Sequence, residues 1–423
     1  MSKPHRGSLL VIFLTVFIDL LGFGMVLPLL PIYAEQFTTD KAGWQLGLLM
    51  ASFSAMQFFF APLWGRLSDR IGRRPVLMVG LAGSVIFYSL FGVATMMASL
   101  SLLFVSRIGA GIAGATISTA QAYIADSTSL EKRPKGMALI GMAFGLGFTF
   151  GPLLGFLAVP TRDQPPGPAP GFVAAGLSLF ALILAVFLLP ESRTEESESV
   201  GRKIFDFAAL RQALSVPSIA FVLVAIFVCL FSFANFETTL SLLIFRHEGG
   251  PESSPFNFSW KQVCLTYAYI GFTLALVQGG VVRRLAGRVS EGALAVAGAL
   301  IEVIGFSLVL VAINQKSSSM LMVALAVVVT GFSFMQPNLN SLLSRRSDPR
   351  RQGMILGVGQ STSSMARILG SGLGIPLLKL GLTIPYLVAA GLMAIGLVLI
   401  TVASSGGTDY EADLESLPDP DGE

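Results

Sequence analysis

The chain has 423 residues, of which 53% are hydrophobic and only 13% charged, with a mean hydropathy of +0.74. A water-soluble domain carries about 25% charged residues, so too little charge is present to cover a surface facing water, and lipid is the expected solvent. The formal net charge of +3 gives no support to nucleic-acid binding. Cys229 and Cys264, far apart in apolar runs, read as buried small hydrophobes and not as a disulfide or metal pair.

A helix that crosses the hydrocarbon needs about 20 apolar residues. Twelve such runs follow in chain order: 8–33, 44–64, 76–97, 100–124, 135–159, 171–190, 217–244, 261–282, 289–313, 319–343, 353–378 and 382–403. The first is too long for the apolar core of a cleavable signal peptide. The polar stretch 191–216, rich in Glu and Ser, divides the runs six and six. The expected organisation is an N-terminal six-helix bundle (1–190), a cytoplasmic linker (191–216), a C-terminal six-helix bundle (217–404) and a disordered acidic tail (405–423). With the N-terminus inside, about twenty Lys and Arg fall on the inner side and about six outside, so both termini are placed in the cytoplasm. The expected fold is all-α, with two related bundles around a central cavity.

Ionisable groups inside a bilayer cost roughly 2.5–3.5 kcal/mol each on insertion scales, so each one calls for a reason. Asp19 lies in the first run, among Gly22, Gly24, Pro28 and Pro31, which make that helix bendable. It reads either as a proton- or substrate-linked carboxylate or as the partner of a buried arginine. Between the second and third runs comes segment 65–75, Gly-Arg-Leu-Ser-Asp-Arg-Ile-Gly-Arg-Arg-Pro, with four arginines in what reads as a short turn at the membrane surface. Gly65, Asp69, Arg70, Arg73 and Arg74 of this segment, with Asp126 at the end of the fourth run, form a candidate gate network. In it one of the arginines joins Asp69 to Asp126, and Asp69 faces the start of the eleventh run. Arg107 in the fourth run and Arg367 in the eleventh are fixed charges. Each suits either an anionic substrate group or a salt bridge to Asp19 or Glu237. The fifth run carries Gly141, Gly145, Gly147, Gly151, Pro152 and Gly155, a smooth face for a close neighbour with a hinge at Gly151-Pro152. Glu237 in the seventh run begins the second half as Asp19 begins the first. Proton coupling, pairing with an arginine and placement at a polar helix end are its three readings. Glu302 in the ninth run, with Asn235, Gln278 and Asn338, completes the polar set assigned to proton coupling or the substrate cavity.

The pattern G-x-L-S-D-R-x-G-R-R-P resembles the loop signature between helices 2 and 3 of the major facilitator superfamily. Arg107-Ile-Gly-Ala-Gly-Ile-Ala-Gly-Ala, Ala122-Tyr-Ile-Ala-Asp126, the fifth-run glycines and Leu189-Pro-Glu-Ser192 are similar to the tetracycline-exporter branch of its drug/proton antiporters. That branch includes tetracycline-transporter-like organic-anion carriers. The resemblance implies twelve helices in two pseudo-symmetric bundles and no cofactor or metal. It matches Asp19 to the family's helix 1 carboxylate, Glu302 to its helix 9 acid, and Asp69, a neighbouring arginine and Asp126 to its inner-face network. The stretch 271–275, Gly-Phe-Thr-Leu-Ala, lacks the helix 8 histidine of the bacterial tetracycline exporters, which sets tetracycline itself apart as a substrate.

The expected function is proton-coupled antiport, as efflux, of an amphipathic organic molecule by a monomer in the plasma (inner) membrane. The alternatives are a proton symporter or uniporter for a small organic anion or metabolite, and a non-transporting receptor or scaffold. No nucleotide loop, metal-ligand cluster or catalytic dyad supports an enzyme.

Overall fold

The structure is a computed structural model that describes residues 6–38, 40–128, 133–159, 167–192, 216–245, 254–285, 287–346 and 352–405. Most of the expected linker, and the expected tail beyond Ser405, lie outside the described residues. Among the described residues, twelve long helices correspond to the twelve runs. They are α1 (Arg6–Val26, resuming as Leu30–Phe37), α2 (Trp44–Ile71), α3 (Arg73–Met96), α4 (Leu100–Gly114, then Ile117–Asp126), α5 (Arg133–Ala158) and α6 (Ala169–Leu188). The second half gives α7 (Pro217–Ile244), α8 (Trp260–Leu276, continuing through Val277–Val282 and Arg283–Leu285), α9 (Glu291–Gln315), α10 (Ser318–Arg345), α11 (Gln352–Leu380) and α12 (Ile384–Ser405). Eleven are long and apolar enough to cross a membrane. The remaining one, α11, is 29 residues long and more polar, because 360–364 reads Gln-Ser-Thr-Ser-Ser and Arg367 follows. Large apolar side chains stand outward, such as Phe187 at 79% exposure and Leu157 at 74%. That is the inverse of a water-facing surface and suits hydrocarbon.

Four local features depart from uninterrupted helices. Segment 65–75 is not a loop: α2 continues to Ile71 and α3 starts at Arg73, so the corner is Gly72 alone, at φ +105°. Only glycine adopts that conformation without strain. α1 breaks over Leu27-Pro28-Leu29, where Pro28 has no N–H to give the ladder. α4 breaks at Ala115-Thr116. There Trp64 Nε1 of α2 donates to the Ile112 carbonyl at 2.7 Å, and Gln57 Nε2 to that of Gly114 at 3.4 Å. Side chains of a neighbouring helix thus take carbonyls that an unbroken helix would use. In α8 the stretch Val277–Val282 is π-helical and holds Gly279 and Gly280. At the expected hinge, by contrast, α5 runs through Pro152 without a break.

By packing, the chain forms two compact units. The first comprises Met1–Ile204, Glu237–Ala275 and Ser371–Leu382; the second comprises Phe205–Phe236, Leu276–Gly370 and Thr383–Glu423. The division passes through α7, α8 and α11. In the first unit α1 lies against α5, where a Cβ on Gly151 would fall 2.7 Å from the Leu21 carbonyl oxygen. α8 meets α5 at Gly271 and Phe148, and the start of α2 meets the end of α11 at Gly47 and Gly372, each too close for a side chain. In the second unit α9 and α10 touch through Gly298, Gly305 and Gly331. α12 is tied to α7 by Asn235 Nδ2, which donates to the Pro385 carbonyl at 2.7 Å. Cys229 and Cys264 are free thiols, both buried.

Candidate functional site

The Gly72 corner places Asp69 on the last turn of α2 and Arg73 on the first of α3. Arg73 is 7% exposed. Its Nη1 donates to Asp69 Oδ1 at 2.5 Å and to Ser68 Oγ at 2.7 Å, and its Nε donates to Asp126 Oδ2 at 3.0 Å. Of the three candidate arginines, Arg73 therefore bridges the two acids. The N-terminus of α3 has no cap from its own side chains. Glu191, beyond the end of α6, supplies one: its carboxylate accepts from the backbone N–H groups of Arg73 at 2.8 Å and Arg74 at 3.1 Å. An anion there satisfies orphan donors and the helix dipole together. Arg74 Nη2 donates to the Val186 carbonyl at 2.5 Å, fastening α3 to α6. Arg70 points to the exposed side, and nothing lies within 4 Å of a Cβ built on Gly65. Sequence reading assigned Glu191 no role, although Leu189-Pro-Glu-Ser192 had been singled out. The start of α11, expected near Asp69, follows residues outside those described.

Deeper in the same unit lie two charged side chains. Asp19 of α1 accepts from Ser178 Oγ of α6 at 2.7 Å and from Ser84 Oγ of α3 at a long 3.5 Å. Arg107 of α4 is 3% exposed and sits with its guanidinium carbon 4.5 Å from the centroid of the Phe53 ring. Its Nε makes no hydrogen bond. Phe23 stacks on Phe53 at 5.0 Å, and Phe148 meets Phe23 edge-on at 5.9 Å. The ion pair between Arg107 and Asp19, one of the two sequence readings, is not formed. Asp19 is instead held by two hydroxyls, and Tyr88 lies within electrostatic range of both charges. Gly147, Gly151 and Gly155 of α5 meet α1 at Leu20, Leu21, Gly24 and Met25. Gly141 and Gly145 have nothing within 4 Å, so the expected smooth face is three glycines long and not five.

The second-half residues are more scattered. Glu302 is fully buried in α9, beside Cys229, and neither carboxylate oxygen has a hydrogen-bond partner. Asn235 serves as the α7–α12 tie, and Asn338 turns back on its own helix, donating to the Phe334 carbonyl at 2.6 Å. Gln278 is half-buried in the π-helical stretch, and Arg367 is half-buried on α11. Glu237 is half-buried, and its backbone carbonyl accepts from Tyr267 Oη at 3.1 Å. At the end of the first unit remote from the Gly72 corner, Lys379 of α11 donates to Glu35 of α1 at 2.6 Å. Nearby, Trp260 lies between Tyr33 at 5.5 Å and Phe245 at 4.5 Å. The Glu35–Lys379 pair had no signal in the sequence, because its partners are 344 positions apart. Among the described residues no group of three His, Cys, Asp or Glu is arranged to hold a metal ion.

Residues 12–371 match the family model of the Major Facilitator Superfamily. The class C tetracycline resistance protein of Escherichia coli is 31% identical over 367 residues, covering 86% of this chain and 88% of that protein. Major facilitator superfamily domain-containing protein 10 of Mus musculus is 29% identical, covering 86% of each. Among solved structures, the human organic anion transporter MFSD10 (TETRAN) superposes with a TM-score of 0.71 at 28% identity, over 94% of this chain and all of that one. A D-xylose-proton symporter shares the fold with a TM-score of 0.72 at 15% identity, over 93% of this chain and 96% of that one.

Proposed function

The chain belongs to the major facilitator superfamily and is a multi-pass membrane transporter of twelve helices, not an enzyme; on that premise we propose that it is a proton-coupled antiporter exporting an amphipathic organic molecule with an anionic group. The observation that carries this reading is Arg107, a buried permanent cation resting on Phe53 and bordered by Phe23 and Phe148. A cation among aromatic faces suits a ligand that combines an acid with an apolar body. The names of the relatives, tetracycline resistance protein and organic anion transporter, agree with such a substrate.

The proposed cycle is alternating access by a monomer in the plasma membrane, with both termini and the Gly72 corner on the cytoplasmic side. The two six-helix halves, 1–190 and 217–404, are its moving parts, and 191–216 links them. Asp19 and Glu237 are the proposed proton-linked acids, with Glu302 in reserve. An incoming substrate anion competes for Arg107 or Arg367 and frees a carboxylate to take a proton. The Asp69–Arg73–Asp126 network latches the cytoplasmic side, and Glu35–Lys379 with the Gly47–Gly372 approach closes the other.

The test is purified protein in proteoliposomes with an imposed pH gradient and a fluorescent aromatic carboxylate as probe. Antiport predicts uptake against the proton flux. Flux of probe and protons in the same direction identifies a symporter, and probe movement indifferent to the gradient identifies a uniporter. Either outcome, or no movement, overturns the antiport reading.

A further inference from the structure

Helices α3 and α4 of the first unit pack in a fixed antiparallel register. Gly80 of α3 lies against Thr116 at the break of α4, Gly83 against Ala113, and Phe87 against Gly109. Each step along one helix is matched by an equal step back along the other, so Tyr88, next on α3, comes level with Arg107 of α4. On α3 itself Leu77, Leu81, Ser84 and Tyr88 are buried and recur at helical spacing, so they share one face. Ser84 on that face donates to Asp19 of α1. Tyr88 stands one turn further on, 5% exposed and within electrostatic range of both Asp19 and Arg107.

Arg107 is a permanent cation whose Nε is buried and makes no hydrogen bond. Buried donors in folded proteins are almost always paired, so an orphan on a charged side chain marks a place where an acceptor belongs. Phe53 gives the guanidinium a ring face but no oxygen. The Tyr88 hydroxyl likewise makes no hydrogen bond among the described residues. The first unit thus brings a charged donor and a neutral one to the same level of α3 and α4. A phenol donates without adding charge, so the two together carry one positive charge. Asp19, in range of both, opposes a second negative charge placed there.

We propose that Tyr88 is a specificity-determining ligand of the transported anion: its hydroxyl donates to the group that Arg107 holds, and that group is singly charged, a carboxylate. The two oxygens of a carboxylate can accept from both donors at once. This inference rests on Arg107 as the seat of the substrate anion and names the second contact and the charge that the seat accepts. It is indifferent to the direction of proton flow.

The experiment measures binding to the full chain, purified in detergent, of three probes with one aromatic body: 2-naphthoate, its neutral carboxamide and 2-naphthyl phosphate. The medium is held at about pH 8, where the phosphate is doubly charged. The wild type is expected to bind naphthoate more tightly than either of the others. Tyr88→Phe keeps the ring and its packing and deletes only the hydroxyl. It is expected to weaken naphthoate about tenfold, the scale of one hydrogen bond to a charged group, while leaving the carboxamide unchanged. The ratio of the two affinities is the deciding readout, because a packing defect would weaken both probes alike. An unchanged ratio in Tyr88→Phe, whether neither probe or both lose affinity, overturns the role of Tyr88 and leaves Arg107 as the anion seat. No binding by the wild type, or no preference for naphthoate over the carboxamide, overturns the anion seat and Tyr88 with it. Phosphate bound as tightly as naphthoate overturns the restriction to a single charge. No gradient is involved, so a symporter or uniporter result in proteoliposomes does not bear on these outcomes.

Discussion

Asp19 and Glu302 are both carboxylates buried in apolar helices, yet their surroundings have little else in common. Asp19 is held between α1, α3 and α6 by hydroxyls of Ser84 and Ser178. Glu302 is buried in α9, within range of Cys229, and accepts no hydrogen bond. A buried polar group costs free energy unless a partner is supplied, and a carboxylate costs most. The first site is built to hold its acid in place. The second tolerates an acid at a cost in stability. An acid of the Asp19 kind can be tuned by its hydroxyls, whereas one of the Glu302 kind depends on whatever approaches it.

The largest test of this contrast is transport. Asp19→Asn is expected to cut gradient-driven accumulation by on the order of 100-fold, the scale of a lost proton-transfer group, while sparing exchange without a gradient. Glu302→Gln is expected to stay within about threefold of wild type. Proteoliposome assays of both variants decide it, and the reverse ranking would exchange the roles of the two acids. Stability should then separate them by sign. Asp19→Leu strands two hydroxyls and should cost about 2 kcal/mol. Glu302→Met removes a carboxyl that has no partner and should be neutral or gain about 1 kcal/mol. Thermal unfolding in detergent reads both shifts, and a lower Tm for Glu302→Met would mean that this carboxyl has a stabilising partner after all. Asp69→Asn leaves both acids untouched and removes the charge on one side of Arg73. Turnover should fall about fivefold with coupling intact, and unchanged turnover would remove the latch from the mechanism. The smallest effect is expected from the hydroxyls. Ser178→Ala, which deletes a 2.7 Å hydrogen bond, should lower accumulation about threefold. Ser84→Ala, at 3.5 Å, should fall below that, and equal effects would mean that the two donors hold Asp19 alike.

The twelve helices were legible because an apolar run of bilayer length has few other uses. Their ends were less so. Hydropathy closed the second run at residue 64, where the arginines begin, but α2 continues to Ile71 because nothing before Gly72 prevents it. A charged last turn can stand in headgroup water and remain helical. The break in α4 left no trace in its own sequence, since Trp64 and Gln57 of α2 hold the carbonyls that mark it. Asp19 and Arg107 were visible as charges in apolar runs. What surrounds them was not: Ser84 and Ser178 lie 65 and 159 positions from Asp19. Glu191 likewise reaches Arg73 across 118 positions. Spacing along one helix cannot report such partners. The fifth-run glycines were recognised as a group, and only the packed structure separates the three that touch α1 from the two that touch nothing.

Along α8 the chain leaves the first compact unit at Ala275, and two residues later its backbone becomes π-helical over Val277–Val282. A π turn closes its hydrogen bonds one residue further on than an α turn does, so it stores one residue of slack. Returning that stretch to α geometry would turn everything on one side of it by about 100° about the helix axis and lengthen the rod by about 1.5 Å. Arg283 and Arg284 would swing to a new azimuth while Trp260 and Cys264 kept theirs. Gly279 and Gly280, with no side chains to drag through the change, keep that rotation cheap. α8 is in this sense a screw with one spare thread, and its pitch can change without breaking the shaft.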